Sequence, residues 1–252
     1  MFATPPYAGY GKGGEALSNG LALQPRLRAI ANLVPDGARL VDVGTDHGFI
    51  PVDLLLSKRI HFAIASDIGA APLDHARRTA EQYDVMEGIE FRLCDGLNGI
   101  SADEVDCIVI AGMGGDNIAA ILDAAPWTKD QKSLILQPMS KAEVLRRWLS
   151  ANGYQVIAER LAADKGVIYP ILSVHGGEMH VTDESQFWGG FLLDDDPLQE
   201  RYLAERILRL RRAAAGLEKA RDPAMQQRRS ELCSIIAALE QRKGGVHSAD
   251  GT

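Results

Sequence analysis

Four aspartates and three glycine-rich turns stand where chemistry can be done in this chain of 252 residues. The run Val41-Asp-Val-Gly-Thr-Asp-His-Gly48 puts Asp42, Asp46 and His47 around a turn bounded by Gly44 and Gly48, and Asp67 follows nineteen residues after it. Asp95-Gly96 and Ala111-Gly112-Met113-Gly-Gly115 complete the set. Residues 40–43 are wholly apolar apart from Asp42 and read as a buried parallel strand, and the two glycines mark a tight turn into a helix beginning near Pro51. Without a Cβ, backbone at such a turn approaches a ligand closely. A second apolar run, 62–66, ends in Asp67, whose carboxylate accepts both hydroxyls of a ribose if the two strands are neighbours.

The charge around the turn selects the cofactor. A dinucleotide site needs glycines spaced G-x-G-x-x-G so that pyrophosphate rests on a helix N-terminus, whereas this turn has no middle glycine and carries acids. Asp42 and Asp46 repel pyrophosphate and suit the ammonium and sulfonium of S-adenosylmethionine. Asp42 is expected to fix the turn and meet the cofactor's amino group, directly or through water. Asp67 is expected on the ribose with Ile68 beside it, and Asp95 with Gly96 on the exocyclic amine of adenine. Ala111, Gly112 and Met113 fall in the loop position after a fourth strand. The Asn or Asp, Pro-Pro and aromatic residues common there in amino-methylating enzymes are absent.

These residues need strands that deliver them to one edge. Strand signals at 40–43, 62–66, 89–93, 106–111 and 133–136 alternate with helix signals at 26–33, 52–57, 72–83, 117–123 and 142–152. Two β-rich runs, 154–160 and 167–175, joined by Asp164-Lys165-Gly166, read as a closing hairpin. The fold class is α/β, a doubly wound, mostly parallel Rossmann-like sheet with an antiparallel C-terminal edge strand. Ligands of such sheets bind outside the carboxyl ends of the strands, and Gly44, Asp67, Asp95 and Gly112 all follow strand ends. Residues 1–20 read as a flexible arm, 21–176 as the cofactor-binding domain and 177–196 as a connection anchored by Phe187 and Trp188. Residues 197–243, broken at Arg221-Asp222-Pro223, read as a helical hairpin or antiparallel coiled coil, and 244–252 as a disordered tail.

Composition narrows the partners. A hydrophobic content of 46% supports a real core, and no apolar stretch reaches the roughly 20 residues needed to cross a bilayer. The first 20 residues are not of signal-peptide type, so a cytoplasmic monomer is expected. Cys94, Cys107 and Cys233 show no paired spacing and read as reduced thiols. His61, His75, His175 and His180 show no metal-ligand spacing, so no metal is expected. The net charge of −7 hides an asymmetry: residues 196–243 carry 11 Lys or Arg against 7 Asp or Glu, while the preceding chain is strongly acidic. A basic appendage on an acidic domain points to a polyanion partner.

Together, Val-Asp-Val-Gly-Thr-Asp-His-Gly (41–48), Cys-Asp-Gly-Leu (94–97), Ile-Ala-Gly-Met-Gly-Gly (110–115), Gln137-Pro138 and Leu-Arg-Arg-Trp-Leu (145–149) resemble the bacterial tRNA (adenine-22-N1)-methyltransferase family over about residues 23–243. The resemblance implies a doubly wound methyltransferase domain, a C-terminal coiled coil that helps engage tRNA, and methyl transfer to a ring nitrogen of adenine. Two departures are visible: the family's Leu-Ser-x-Arg-Leu pattern reads Leu23-Gln-Pro-Arg-Leu27, and Phe49 replaces the tyrosine expected after Asp-His. Arg26 is retained, and with Arg206, Arg209 and Arg212 it is a candidate RNA contact. Adenine N1 carries an in-plane lone pair and attacks the sulfonium methyl without prior deprotonation, leaving a cationic base. A carboxylate beside it stabilises that charge, and Asp46 is the candidate, with His47 as neighbour or alternative and Met113 in the facing turn. A small-molecule methyltransferase and a catalytically silent nucleotide- or RNA-binding protein are the other readings.

Overall fold

The computed structural model describes residues 21–245, and the expected arm at 1–20 and the tail beyond 245 lie outside the described residues. Chain order is α1 (Pro25–Ala31), β1 (Arg39–Val43), α2 (Phe49–Leu56), β2 (Phe62–Asp67), α3 (Ala70–Gln82), β3 (Ile89–Leu93), β4 (Cys107–Gly114) and α4 (Gly115–Asp123). It continues with β5 (Ser133–Ser140), α5 (Ala142–Ala151), β6 (Tyr154–Asp164), β7 (Val167–Gly176), α6 (Ser185–Gly189), α7 (Gln199–Gly216) and α8 (Pro223–Gly245). The seven strands form one sheet in the order β3-β2-β1-β4-β5-β7-β6. The five strands β1 to β5 pair in parallel, and β7 runs antiparallel to both β5 and β6. The antiparallel strand therefore sits one place in from the edge, with β6 covering its outer side.

The alternation of side chains along buried strands builds two cores. Val41, Val43, Ile108, Ile110, Leu134 and Leu136 face one way and pack against Ile118 and Leu122 of α4 and Leu145 and Leu149 of α5. Leu40, Ala63, Ala65, Val109 and Ile135 face the other way, against Ile30 of α1, Val52 and Leu54 of α2 and Ala80 of α3. Each fully buried Leu or Ile contributes roughly 1.5–3 kcal/mol relative to exposure, so the sheet is held firmly on both faces.

The glycine-rich run 110–115 differs from its expected form. Instead of ending at Ala111, β4 continues to Gly114, where Met113 pairs with Pro138 and Gly114 with Ser140 across two register shifts. Irregular pairing of this kind re-aims side chains at the end of a strand, which glycines permit and local composition does not announce. The helix expected near Pro51 starts two residues earlier, at Phe49, with Gly48 as its left-handed cap.

A third core joins the C-terminal helices to the sheet. Tyr202, Leu203, Ile207 and Leu210 of α7 and Leu232, Ile235 and Leu239 of α8 enclose Leu161 and Ile168 from the β6–β7 hairpin and Leu193 from the connection. Ion pairs Arg211–Glu240 (2.6 Å) and Lys243–Glu200 (3.6 Å) set the two helices antiparallel. At the joint, wholly buried Arg146 donates to Glu159 at 2.8 Å and to the Phe187 carbonyl at 2.9 Å, with the Tyr202 hydroxyl 3.4 Å away. The other Glu159 oxygen accepts the Phe191 and Leu192 amides. One buried charge pair thus ties α5, β6, the connection and α7 together.

Candidate active site

The expected residues meet at the carboxyl edge of β1, β2 and β4. Both Gly44 and Thr45 donate their amides to the Ser66 carbonyl, at 2.9 and 3.0 Å, which pins the β1 turn to β2. Gly44 has φ +72°, and a Cβ placed there would lie 2.3 Å from Met113 Cε. Glycine adopts this left-handed backbone without strain, and its missing Cβ leaves room for the flexible tip of Met113. Met113 is half-buried against the α4–α5 core and closes the space between the turn and β4. It carries no titratable group, so its part is to shape the wall.

A cleft of about 450 Å³ opens here, lined by Gly44, Asp67, Ile68, Asp95, Gly96 and Met113, all expected from the sequence, together with Val43, Cys94, Asn117, Ala120 and Ile121. Its volume suits a nucleoside-sized ligand. Two acids and no Lys or Arg line it. A larger hollow of about 1120 Å³ lies elsewhere, between Asn32–Asp36, Arg59 and the connection, and contains none of the strand-end acids. Asp67 is half-buried, with one oxygen accepting the Gly69 amide at 2.9 Å and the other free to face the cleft. Ile68 is 72% exposed at the rim, an open apolar surface of the kind a flat base covers. Asn117, Ala120 and Ile121 come from one face of α4. Their i, i+3, i+4 spacing after the glycine run was the available sign of them.

Ala111 and Gly112 border the cleft without lining it. The Gly112 amide donates to Gln137 Oε1 at 3.2 Å, and the same oxygen accepts Arg26 Nη1 at 2.6 Å. Arg26 therefore stands beside the β4 and β5 ends, over the Tyr169 ring at 5.8 Å, on a different element from the other candidate RNA contacts. On the hairpin, Arg206 is half-buried with its guanidinium 4.9 Å over the Tyr202 ring. Arg209 and Arg212 are exposed and have no ion pair among the described residues.

Asp42 lies beneath the turn, 4% exposed, and accepts the Thr45 hydroxyl at 2.7 Å. Burial pushes its carboxyl up to about 6, the Thr45 bond opposes the shift, and the charge of Asp67 adds to it. Burial likewise pushes the Cys94 thiol up, so it meets the cleft uncharged. Asp46 and His47 project outward from the turn that Gly44 begins. Asp46 has φ +51° and its Oδ2 lies 2.9 Å from His47 Nδ1. The His47 ring stacks on Phe49 at 5.1 Å and on His75 at 5.0 Å. Spacing along the chain gave His75 no role, because its proximity to His47 arises only when α3 packs against the turn.

Comparison with known proteins gives the family of the chain. The methyltransferase-domain family matches residues 23–172. The tRNA (adenine(22)-N(1))-methyltransferase of Bacillus subtilis is 37% identical over 161 residues, 64% of this chain and 68% of that protein. The chain belongs to the bacterial tRNA (adenine-22-N1)-methyltransferase family. The crystal structure of the B. subtilis m1A22 tRNA methyltransferase superposes on this methyltransferase with a TM-score of 0.80 at 28% identity, covering 88% of this chain and 99% of that one. A Streptococcus pneumoniae putative tRNA (m1A22) methyltransferase, solved in complex with S-adenosyl-L-methionine, gives 0.76 at 32% identity over 86% and 98%. These matches extend beyond the methyltransferase sheet, so the two long C-terminal helices are part of the shared architecture.

Proposed function

We propose that this methyltransferase transfers the methyl group of S-adenosylmethionine to N1 of adenine 22 in tRNA, at the cleft between Gly44, Asp67 and Met113. The observation that carries the cofactor reading is the lining itself: acids at two strand ends, an apolar rim and no basic residue. That donor set fits a cationic adenosyl ligand and opposes a pyrophosphate. Asp67 would hold the ribose hydroxyls, Asp95 with Gly96 the adenine amine, Ile68 and Ile121 its faces, and Asp42 the amino group from below the turn. S-adenosylmethionine supplies an electrophilic methyl on a sulfonium.

Asp46 stands on the outer side of the turn, where a base entering from solvent would meet it. Its carboxylate stabilises the positive charge that appears on adenine as N1 is methylated and takes up the proton leaving the exocyclic nitrogen, with His47 Nδ1 2.9 Å from it. Ala111, Gly112 and Met113 hold the opposite side, and the Gln137 bridge to Arg26 and Gly112 keeps that strand end in register. Residues 21–176 would act as the catalytic domain, 177–196 as the connection and 197–243 as the arm that engages tRNA through Arg209 and Arg212, with Arg206 on its flank. The small-substrate reading leaves this basic arm without a purpose, and the silent reading leaves four acids around a methyl-donor pocket unexplained.

The test is to incubate the protein with labelled S-adenosylmethionine and total tRNA and map the modified nucleoside. Asp46→Asn is expected to lower turnover about 100-fold or more at saturating cofactor while leaving cofactor affinity unchanged. Turnover restored by excess cofactor would make Asp46 a binding group and transfer the catalytic role to His47.

A further inference from the structure

Asp46, His47 and His75 converge from two elements, the turn after β1 and helix α3, and their ligand atoms all lie within 4.8 Å of one another. We propose that they form a binding site for a divalent transition-metal cation of the zinc class, and that occupancy of this site shuts off methyl transfer by engaging the Asp46 carboxylate. The inhibitory half rests on the catalytic reading of Asp46, whereas the site itself does not.

The backbone fixes the roots of the two histidines relative to each other. A Cβ on Gly48 would come within 3.0 Å of Ala76 Cβ, so the residue after His47 and the residue after His75 are in direct contact. Gly48 and Ala76 are both buried, which makes this a rigid junction under two exposed side chains. The His47 ring stacks with Phe49 at 5.1 Å and with His75 at 5.0 Å. Asp46 Oδ2 and His47 Nδ1, at 2.9 Å, already have a separation close to that of two ligands on one ion. With metal–ligand bonds of about 2.0–2.1 Å, tetrahedral ligands stand about 3.3 Å apart. The widest pair here must close by at most about 1.5 Å, which rotation of exposed side chains supplies.

The donor set decides the class of ion. Two imidazoles and one carboxylate suit Zn²⁺, Ni²⁺ or Cu²⁺, while Mg²⁺ prefers oxygen ligands in a near-ideal octahedron and gains little here. Three protein ligands leave further positions to solvent, so the site would bind reversibly rather than hold a structural ion. Its effect on catalysis follows from charge. Methylation at N1 creates a cation, and a dication held at Asp46 removes the carboxylate that stabilises it and adds repulsion in its place.

The experiment uses full-length protein freed of any polyhistidine tag, in a Cys233→Ser background because that thiol is exposed. Zn²⁺ is titrated in competition with a chromophoric chelator, and tRNA methylation is measured with and without Zn²⁺ at millimolar Mg²⁺. The expected result is one equivalent of Zn²⁺ bound, an affinity at least tenfold weaker in His75→Phe, and inhibition of the parent but not of His75→Phe. That variant keeps an aromatic face against His47 and should retain its metal-free activity. Absence of binding, or equal affinity in His75→Phe, overturns the site. Zinc that binds through His75 yet leaves methylation intact overturns the inhibition and the catalytic reading of Asp46 with it. An Asp46→Asn defect without any zinc binding overturns the metal site alone.

Discussion

Asp42→Asn isolates the acid under the glycine turn. The structure places its carboxyl in a buried pocket with an ionisation near 6, so at pH 5 about nine in ten molecules carry it neutral and at pH 7 about one in ten. A cofactor ammonium above the turn favours the ionised form, and binding at pH 5 must therefore expel a proton. The cost is about 1.4 kcal/mol, a tenfold loss of affinity between pH 7 and pH 5. Over this range an α-amino group keeps its charge, so the ligand itself adds no slope. Calorimetry of S-adenosylmethionine binding in buffers of different ionisation enthalpy should show the tenfold change and nearly one proton released at pH 5. Asp42→Asn should bind more weakly but without the slope. Stability has the opposite sign: the folded-state value is raised from 3.8, so the acid destabilises the fold progressively as pH rises from about 4 to 6 and constantly above. Asp42→Asn should be the more stable protein at pH 7, by up to about 3 kcal/mol, and no more stable at pH 3. Wild-type affinity that is flat from pH 5 to 7 would refute the placing of Asp42 beneath the amino group.

Asp67→Ala should weaken S-adenosylmethionine binding by about 1–3 kcal/mol, the usual cost of leaving hydrogen-bonding groups unpaired; unchanged calorimetric affinity would remove it from the ribose. Arg209→Ala and Arg212→Ala should each weaken tRNA binding and reduce the log–log salt slope by about 1, read by filter binding across a salt series. Arg146→Ala leaves Glu159 buried and uncompensated and should lower stability by about 3–5 kcal/mol in denaturant unfolding; a loss below 1 kcal/mol would mean that water enters the joint. Cutting the chain after Asp196 should abolish most tRNA methylation and preserve cofactor binding at reduced stability, since all seven strands precede the cut but Leu161, Ile168 and the Arg146–Glu159 pair lose the cover of α7.

The parallel strands and the edge to which they bring the candidate residues were legible because buried parallel strands announce themselves as apolar runs, several of them closing at or just before a candidate residue. Val43, Ser66 and Leu93 close such runs, and Gly44, Asp67 and Asp95 follow at or just beyond them. What failed to show was whatever depends on two distant segments meeting. Met113 reads as loop because glycines surround it, yet β5 supplies Pro138 as its partner and keeps it in the sheet. Arg146 reads as the polar face of an amphipathic helix, and only the arrival of Glu159 from β6 explains a charge with no exposure at all. His75 and Arg26 are the same case: α3 brings one to His47, and α1 brings the other to Gln137.

The position of the helical hairpin follows from the strand directions. β6 runs parallel to β5 and ends at Asp164, so its carboxyl end and the start of β7 lie on the same side of the sheet as Gly44 and Met113. Leu136 pairs with Leu172, and β7 runs back five further residues to Val167, carrying the β6–β7 turn beyond the end of that pairing. Arg201 at the root of α7 donates to the Gly166 carbonyl at that turn, 2.7 Å away, and Leu161 and Ile168 anchor the helices just below it. The basic arm is thus rooted on the ligand side, separated from the acidic cleft by β5 and β7. A polyanion gripped by Arg209 and Arg212 would be held near a cleft whose own charge repels its phosphates. On the roles proposed for Asp46 and the hairpin arginines, such a division of charge would favour a base extended away from its backbone.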